Sequence, residues 1–396
     1  MIPQERHHPD STDRYLPQAG ISSATLCRQK NRASSCIDHL CLIVALLSLL
    51  VNVACEGGAT NKEFISLHSY DASLRYYPGR HWAKLSSPEL AGWSSQSLER
   101  ARQFSVSIHS DAVVVVYNGV IVTEWGKSEL RMNIHSIRKS IMSAMYGIYS
   151  ANKQIDITQT LKELGITDVN GLSDEESRAT VRDLLSARSG VYHRAAYETD
   201  AMEKKRPLRG SHPPGTFWYY NNWDFNVLAT IFNQETGKDF FRAFKEDIAT
   251  PLQMEQFRLD DTTYHYEREH SLHPAYLFRM SALDLARFGL LYLRQGIWDG
   301  VSIIPDKWIE ESTRLHSVFR PEKNRRRGYG YMWYVDENVY YAQGTGGQRV
   351  FVIPSRSLVV VHRVDSSSGK GVGARQIWQL LDMIIESGPP SSENRP

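Results

Sequence analysis

Ser136 and Lys139 stand three residues apart at the head of Ile141-Met142-Ser143-Ala144-Met145-Tyr146-Gly147-Ile148-Tyr149, whose apolar positions recur at helical spacing. On a helix such a pair shares one face, so the amine can reach the hydroxyl and accept its proton. A serine relieved of its proton is a nucleophile. The first helical turn also presents unpaired N–H groups and the positive end of the dipole, which favour an alkoxide and disfavour an ammonium. Ser-x-x-Lys arises by chance on many surface helices. Here the apolar run predicts a buried helix, where a lysine is costly unless it has a partner or a role.

Two further stretches offer groups that could join this pair. Pro213-Pro214-Gly215-Thr216-Phe217-Trp218-Tyr219-Tyr220-Asn221-Asn222 leads into a helical run from Trp223 to Gln234 and carries the phenol of Tyr220 and the carboxamide of Asn222. A tyrosine shuttles protons when a neighbouring ammonium lowers its pKa, the role expected for Tyr220. The competing account makes the aromatics core and Asn222 a helix cap. The third stretch, Gln343-Gly344-Thr345-Gly346-Gly347-Gln348, lies between two strand-like runs. Its glycines let backbone N–H groups approach a ligand, as an oxyanion hole requires, or form an ordinary turn. No lysine and helix follow, which excludes a phosphate loop.

The rest of the chain must bring these stretches together. A helix is predicted from Ser95 to about Ser107, then a hairpin in which Asn118-Gly119 joins Ala112–Tyr117 to Val120–Trp125. From Ser136 to about Leu315 the pattern is mainly helical, with start signals at Ser173-Asp174-Glu175-Glu176, from which Thr180 to Ala187 continues as helix, and at Ser281, and stop signals at Ser189-Gly190 and Gly296. Strands return at Tyr329–Val335, Val339–Gln343, Arg349–Ile353 and Leu358–Val364 with hairpin-length links. A last helix puts Ile377, Leu380, Leu381 and Ile384 on one face. The expected fold is α+β: an antiparallel sheet flanked by helices, with a mainly helical subdomain of about 150–315 inserted in a domain of 95–388. Residues 61–94 read as an extended wrapping segment and 389–396 as a disordered tail.

The chain has 396 residues, 41% hydrophobic and 23% charged, with a net charge of +2 that gives no reason to expect a nucleic-acid partner. Its four cysteines, Cys27, Cys36, Cys41 and Cys55, all precede the expected domain, so nucleophilic chemistry there falls to a hydroxyl. Residues 1–60 read as a targeting segment and linker: Arg28, Lys30 and Arg32, the short apolar run Leu40–Val51, then small residues at Val53-Ala54-Cys55. Export is expected, to the periplasm or outside the cell. Cys55 also has the position of a lipid-anchored cysteine, with Asn52 where such sites usually carry leucine.

The order Ser136-x-x-Lys139, Tyr220-x-Asn222 and a late glycine-rich strand segment resembles the serine β-lactamase and penicillin-binding protein superfamily. It looks closest to the class C branch, with its esterases and 6-aminohexanoate-dimer hydrolases. Leu184-Leu185-Ser186-Ala187-Arg188-Ser189-Gly190, and Arg279-Met280-Ser281 before Leu285-Ala286-Arg287-Phe288-Gly289, agree with it. The resemblance implies that Ser136 attacks a carbonyl, that Lys139 and Tyr220 move its proton, and that Asn222 positions substrate or Lys139. It further implies an oxyanion hole from the N–H groups of Ser136 and Thr345, and a substrate pocket with Tyr192, His193, His212, Gly344, Gly346 and Gly347. No cofactor or metal is needed.

One departure bears on substrate. β-Lactamases and transpeptidases carry Lys-Thr-Gly or His-Thr-Gly in the third element, and Tyr341, Ala342 and Gln343 offer no such cation. This points to a small amide or ester substrate rather than a β-lactam, unless Arg349 supplies the charge. A β-lactamase or D-alanyl-D-alanine carboxypeptidase is the alternative enzyme, and a binding module without turnover the alternative of another class. The histidines of Tyr264-His265-Tyr266-Glu267-Arg268-Glu269-His270-Ser271-Leu272-His273 match no strong ligand spacing and read as a solvated or site-rim loop. The basic run Arg320–Arg327 reads as a solvated loop, with an anionic partner as its alternative.

Overall fold

The computed structural model describes residues 62–322 and 325–390, so the targeting segment, Cys55 and residues 391–396 lie outside it. The stretch read as a wrapping segment contributes two strands, β1 (Phe64–Leu67) and β2 (Trp82–Leu85), which pair in parallel. Helix α1 (Ser95–Ser107) follows, capped by the Ser94 hydroxyl accepting from the Ser97 N–H. Then come β3 (Ala112–Tyr117) and β4 (Val120–Gly126), with Tyr117 opposite Val120 across the Asn118-Gly119 turn. Asn118 and Gly119 both take the positive φ that this turn demands.

After the short strand β5 (Met132–Asn133) the chain enters α2 (Ile137–Ala151), which is buried on nearly every side. The inserted block continues through α3 (Val181–Leu185), α4 (Asp200–Lys205), α5 (Asn222–Thr236) and α6 (Phe240–Phe244). It is less purely helical than its sequence pattern. Strands β6 (Thr262–His265) and β7 (Ala275–Met280) join β5 in a three-stranded sheet ordered β5-β7-β6. These segments are too short for a period of two to stand out. Helix α7 (Ala282–Leu293), the small hairpin of β8 (Ile297–Trp298) and β9 (Val301–Ser302), and α8 (Asp306–Ser312) complete the block. The Ser173–Glu176 capping box forms, although only a single 3₁₀ turn follows it.

The late strands are β10 (Ser317–Glu322), β11 (Arg325–Tyr329), β12 (Tyr334–Asp336), β13 (Val339–Gly344), β14 (Gln348–Ile353) and β15 (Leu358–Arg363), before helix α9 (Ala374–Glu386). They join the early hairpin in one ten-stranded sheet, ordered β1-β2-β4-β3-β15-β14-β13-β12-β11-β10. The β1–β2 and β2–β4 pairs are parallel and the others antiparallel. The strand expected over Tyr329–Val335 is broken: the chain turns back so that Tyr329 pairs with Tyr334, the Gly330 N–H donating to the Trp333 carbonyl at 2.9 Å with Met332 at a φ of 59°. The basic run is a correction too: Arg320–Glu322 and Arg325–Arg327 lie in β10 and β11, which pair antiparallel, not in a loop.

Strand β3 shows why its sequence is apolar without alternation. Val114 and Val116 face the core shared with the inserted block, while Val113 and Val115 face the core under α1 and α9. Ile377, Leu380, Leu381 and Ile384 of α9 are buried in that second core, as their spacing predicts. Arg363, at the end of β15, donates to the carbonyls of Met132, Asn133 and Met280 and, through Nε at 2.7 Å, to Gln348 Oε1. It thereby ties the approach to Ser136 to the strand that follows the glycine segment.

Candidate active site

Ser136 occupies the N-cap of α2, yet its hydroxyl makes no capping bond. His135, just before it, holds φ at 48°, a left-handed conformation that a non-glycine residue keeps only when its surroundings impose it. The constraint is visible: Asn133 Oδ1 accepts from the His135 N–H at 2.8 Å, and the ring nitrogens lie 2.6 Å from Ser366 Oγ and 3.1 Å from Tyr197 Oη. Burial, with Arg138 nearby, pushes the His135 imidazole down to about 4, so the ring is neutral near pH 7.

One turn into the helix, the Lys139 amine lies 2.8 Å from Ser136 Oγ, 2.6 Å from Tyr220 Oη and 2.8 Å from Asn222 Oδ1. Complete burial holds its pKa well below the ordinary lysine range, and the Arg138 guanidinium on the same turn adds to the effect. A neutral amine has two N–H bonds and one lone pair, which three partners satisfy if Ser136 is the donor. The arrangement can therefore take the serine proton without first losing one.

Asn221, not Asn222, caps α5, accepting from the Trp223 N–H at 3.2 Å. Asn222 is thus free to turn its Oδ1 to Lys139 while its Nδ2 donates to the Tyr197 carbonyl at 2.6 Å. Tyr220 departs from expectation. Burial pushes the phenol up to about 12, although a bond to Ser136, the nearby Arg138 charge and a bond to Tyr334 act the other way. Desolvation in the shared dry pocket thus acts on the two groups in opposite senses, disfavouring the phenolate of Tyr220 and the ammonium of Lys139.

In front of Ser136 lies a cavity of about 430 Å³ between α4, the aromatic loop and the end of β13. Tyr220, Gly344 and Thr345 line it, whereas Tyr192, His193, His212, Gly346 and Gly347 do not. Tyr192 packs edge-on against His212 and Tyr219, behind the wall, and His193 Nε2 lies 3.2 Å from Glu176 Oε1 in the interior. Gly346 and Gly347 take φ values of 81° and 105° and shape the turn after the strand. The Ser136 and Thr345 N–H groups take no part in the turn and cap hydrogen bonds around them. Arg349 does not line the cavity: it donates to the carbonyl of Gln348 at 2.8 Å and of Gly344 at 3.4 Å.

Other lining groups had no signal in the sequence, among them Thr199, Met202, Lys205, Trp218 and Tyr334. Tyr334 stacks on Tyr220, yet it read only as one more aromatic in a strand. His265 and His270 pair with Glu267, and no group of three or more metal-ligand side chains occurs among the described residues. A larger cavity of about 600 Å³ near Arg75, Arg294, Asp306 and Glu310 contains none of the three motif stretches.

A buried helix presenting Ser-x-x-Lys between an antiparallel sheet and an inserted helical block defines the serine β-lactamase and transpeptidase class of fold. Residues 96–380 match the Beta-lactamase family, and the chain belongs to it as a hydrolase of this fold. Over 174 residues it is 28% identical to a D-aminopeptidase from Brucella anthropi, a match covering 37% of this chain and 32% of that protein, so only about a third of the relative's length is spanned. Among solved structures it is similar to a 6-aminohexanoate-dimer hydrolase homologue from Bacillus anthracis, with a TM-score of 0.57 and 20% identity over 78% of this chain and 86% of the other. The octameric penicillin-binding protein homologue from Pyrococcus abyssi gives a TM-score of 0.56 and 18% identity over 74% and 78%. At these identities the two structures speak for the fold. Among the described residues no helix is long and apolar enough to cross a membrane.

Proposed function

We propose that this protein is an exported serine hydrolase of the class C type that cleaves a small amide or ester through an acyl-enzyme on Ser136. One observation carries the proposal: a buried lysine amine that meets Ser136, Tyr220 and Asn222 at once, each within 2.8 Å. Ser136 Oγ attacks the carbonyl carbon while its proton passes to the neutral Lys139 amine, and Asn222 Oδ1 accepts an N–H of the ammonium so formed. The oxyanion is held by the N–H groups of Ser136 and Thr345, a donor of this kind being worth about 2.7 to 4 kcal/mol of barrier. Tyr220 gives its proton to the departing amine or alkoxide and takes one back from Lys139, and the acyl–leaving-group bond breaks. Water then attacks the acyl carbon, its proton passes to Lys139 through Tyr220, and Ser136 leaves with a proton restored.

Tyr220→Phe removes only the hydroxyl, so kcat should fall by about 10²- to 10⁴-fold with little change in KM. The loss should be larger for amides than for aryl esters, whose leaving groups need no proton. Wild-type kcat on several amides would make this tyrosine structural.

The test of substrate class is kcat/KM on a panel of p-nitrophenyl esters, short linear amides, D-amino peptides and a chromogenic cephalosporin. Tyr341, Ala342 and Gln343 offer no cation, so the carboxylate of the cephalosporin, fixed near its reacting carbonyl, lacks a charge-assisted bond of about 1.5 to 3 kcal/mol there, a loss of roughly ten- to hundredfold. Esters or linear amides should therefore be turned over faster. A cephalosporin that outpaced every ester and amide would overturn this assignment in favour of a β-lactamase.

A further inference from the structure

We propose that Lys205 anchors a substrate carboxylate, so that the amide or ester cleaved here carries a free carboxylate on a flexible chain away from the scissile bond. The inference rests on the serine hydrolase reading above and narrows its substrate class. The residues that line the cavity in front of Ser136 are aromatic, apolar or neutral polar, with Lys205 the one basic or acidic side chain among them. No carboxylate lines it. The cavity thus offers an incoming molecule one positive group and nothing to repel an anion.

Lys205 is also left free by its neighbours. Glu198 pairs with Arg206, and Glu203 lies 3.5 Å from Arg194, so two of the three acids in this segment are taken by arginines. The third, Asp200, opens α4 five residues away and does not line the cavity. No ion pair or hydrogen bond engages the Lys205 ammonium among the described residues. Its helix is fixed in place, because Tyr219 Oη donates to the Met202 carbonyl at 2.8 Å and Thr199 caps the first turn. The lysine therefore sits at the end of a positioned wall, opposite the strand where Gln343 supplies no charge. A ring-fused carboxylate beside the reacting carbonyl would look to the strand, and one on a flexible chain can reach across to α4.

The test compares kcat/KM for matched pairs that differ only in a carboxylate: 4-nitrophenyl hydrogen glutarate with its methyl ester, and 4-acetoxybenzoate with its methyl ester. The first pair places the charge on the acyl side and the second on the leaving group. In the wild type at least one acid should be preferred over its neutral partner, and the preference should shrink at high ionic strength. An exposed ammonium is well solvated, so Lys205→Ala should reduce that preference by about fivefold, through KM rather than kcat. Lys205→Glu should invert it, with the change in kcat/KM falling on the acids more than on their neutral partners. Equal ratios in wild type, Lys205→Ala and Lys205→Glu for both pairs would overturn the proposal while leaving the hydrolase reading intact. Failure of all four esters to acylate the wild type would count instead against the hydrolase reading. Calorimetric titration with glutarate mono-N-methylamide would then decide the anchor by itself, weaker binding to Lys205→Ala supporting it and equal binding sinking it.

Discussion

Ser136→Ala should lower turnover by at least about 10⁴-fold and remove labelling by a fluorophosphonate, with the fold unchanged. Replacing an N-cap serine usually costs about 1 kcal/mol of stability, because its oxygen holds a free N–H of the helix. Ser136 sits at that position but makes no such bond. Its hydroxyl is spent on Lys139 and Tyr220 instead. The melting temperature of Ser136→Ala should accordingly stay close to the wild-type value, which separates loss of chemistry from loss of structure. Labelling that persisted undiminished would place the nucleophile elsewhere.

Lys139→Met should abolish activity as completely as Ser136→Ala, and the double variant should be no worse than either, since the two groups act as one unit. It also has a signature in stability. In the unfolded chain Lys139 titrates near 10.5, while in the folded chain burial holds its pKa well below that. Between the two values the unfolded state binds the extra proton, so folding is penalised there, and the penalty grows as pH falls until the folded value is reached. Above about 10.5 the penalty vanishes. The stability of the wild type relative to Lys139→Met should therefore improve as pH rises toward 10, by up to about 1.4 kcal/mol per unit within that window. Denaturant titrations of both proteins at a series of pH values measure it. A difference that did not change with pH would mean that Lys139 stays charged in the fold, and it could not then be the resting base.

Where sequence reasoning erred, it erred over distance and dielectric. The Tyr220 pKa was expected to fall beside an ammonium, yet burial raises the phenol and lowers the neighbouring Lys139 amine. Tyr192, His193 and His212 were expected in the pocket, but none lines it: Tyr192 packs on Tyr219 and His212, and His193 lies against Glu176. The strand expected through Gly330 turns back on itself between Tyr329 and Tyr334, with Met332, a non-glycine residue, taking the positive φ of the turn, so no glycine or asparagine marks that position in the sequence.

What the order of residues determined by itself is everything that acts over a few positions. The helical spacing after Ser136 gave a buried helix, Asn118-Gly119 a hairpin, and the one-sided apolar face of 377–384 a covering helix, because side-chain periodicity and turn chemistry are complete within a dozen residues. The order of the three motifs was likewise legible. Tertiary structure alone decided which groups meet: Tyr220 and Asn222 reach Lys139 from more than eighty residues away, Tyr334 arrives from the far strands to stack on Tyr220, and Lys205 comes to the cavity on a helix of six residues. It also decided the direction in which the Lys139 pKa moves, since that depends on how much water the assembled pocket excludes, a property of the packed interior and not of any segment.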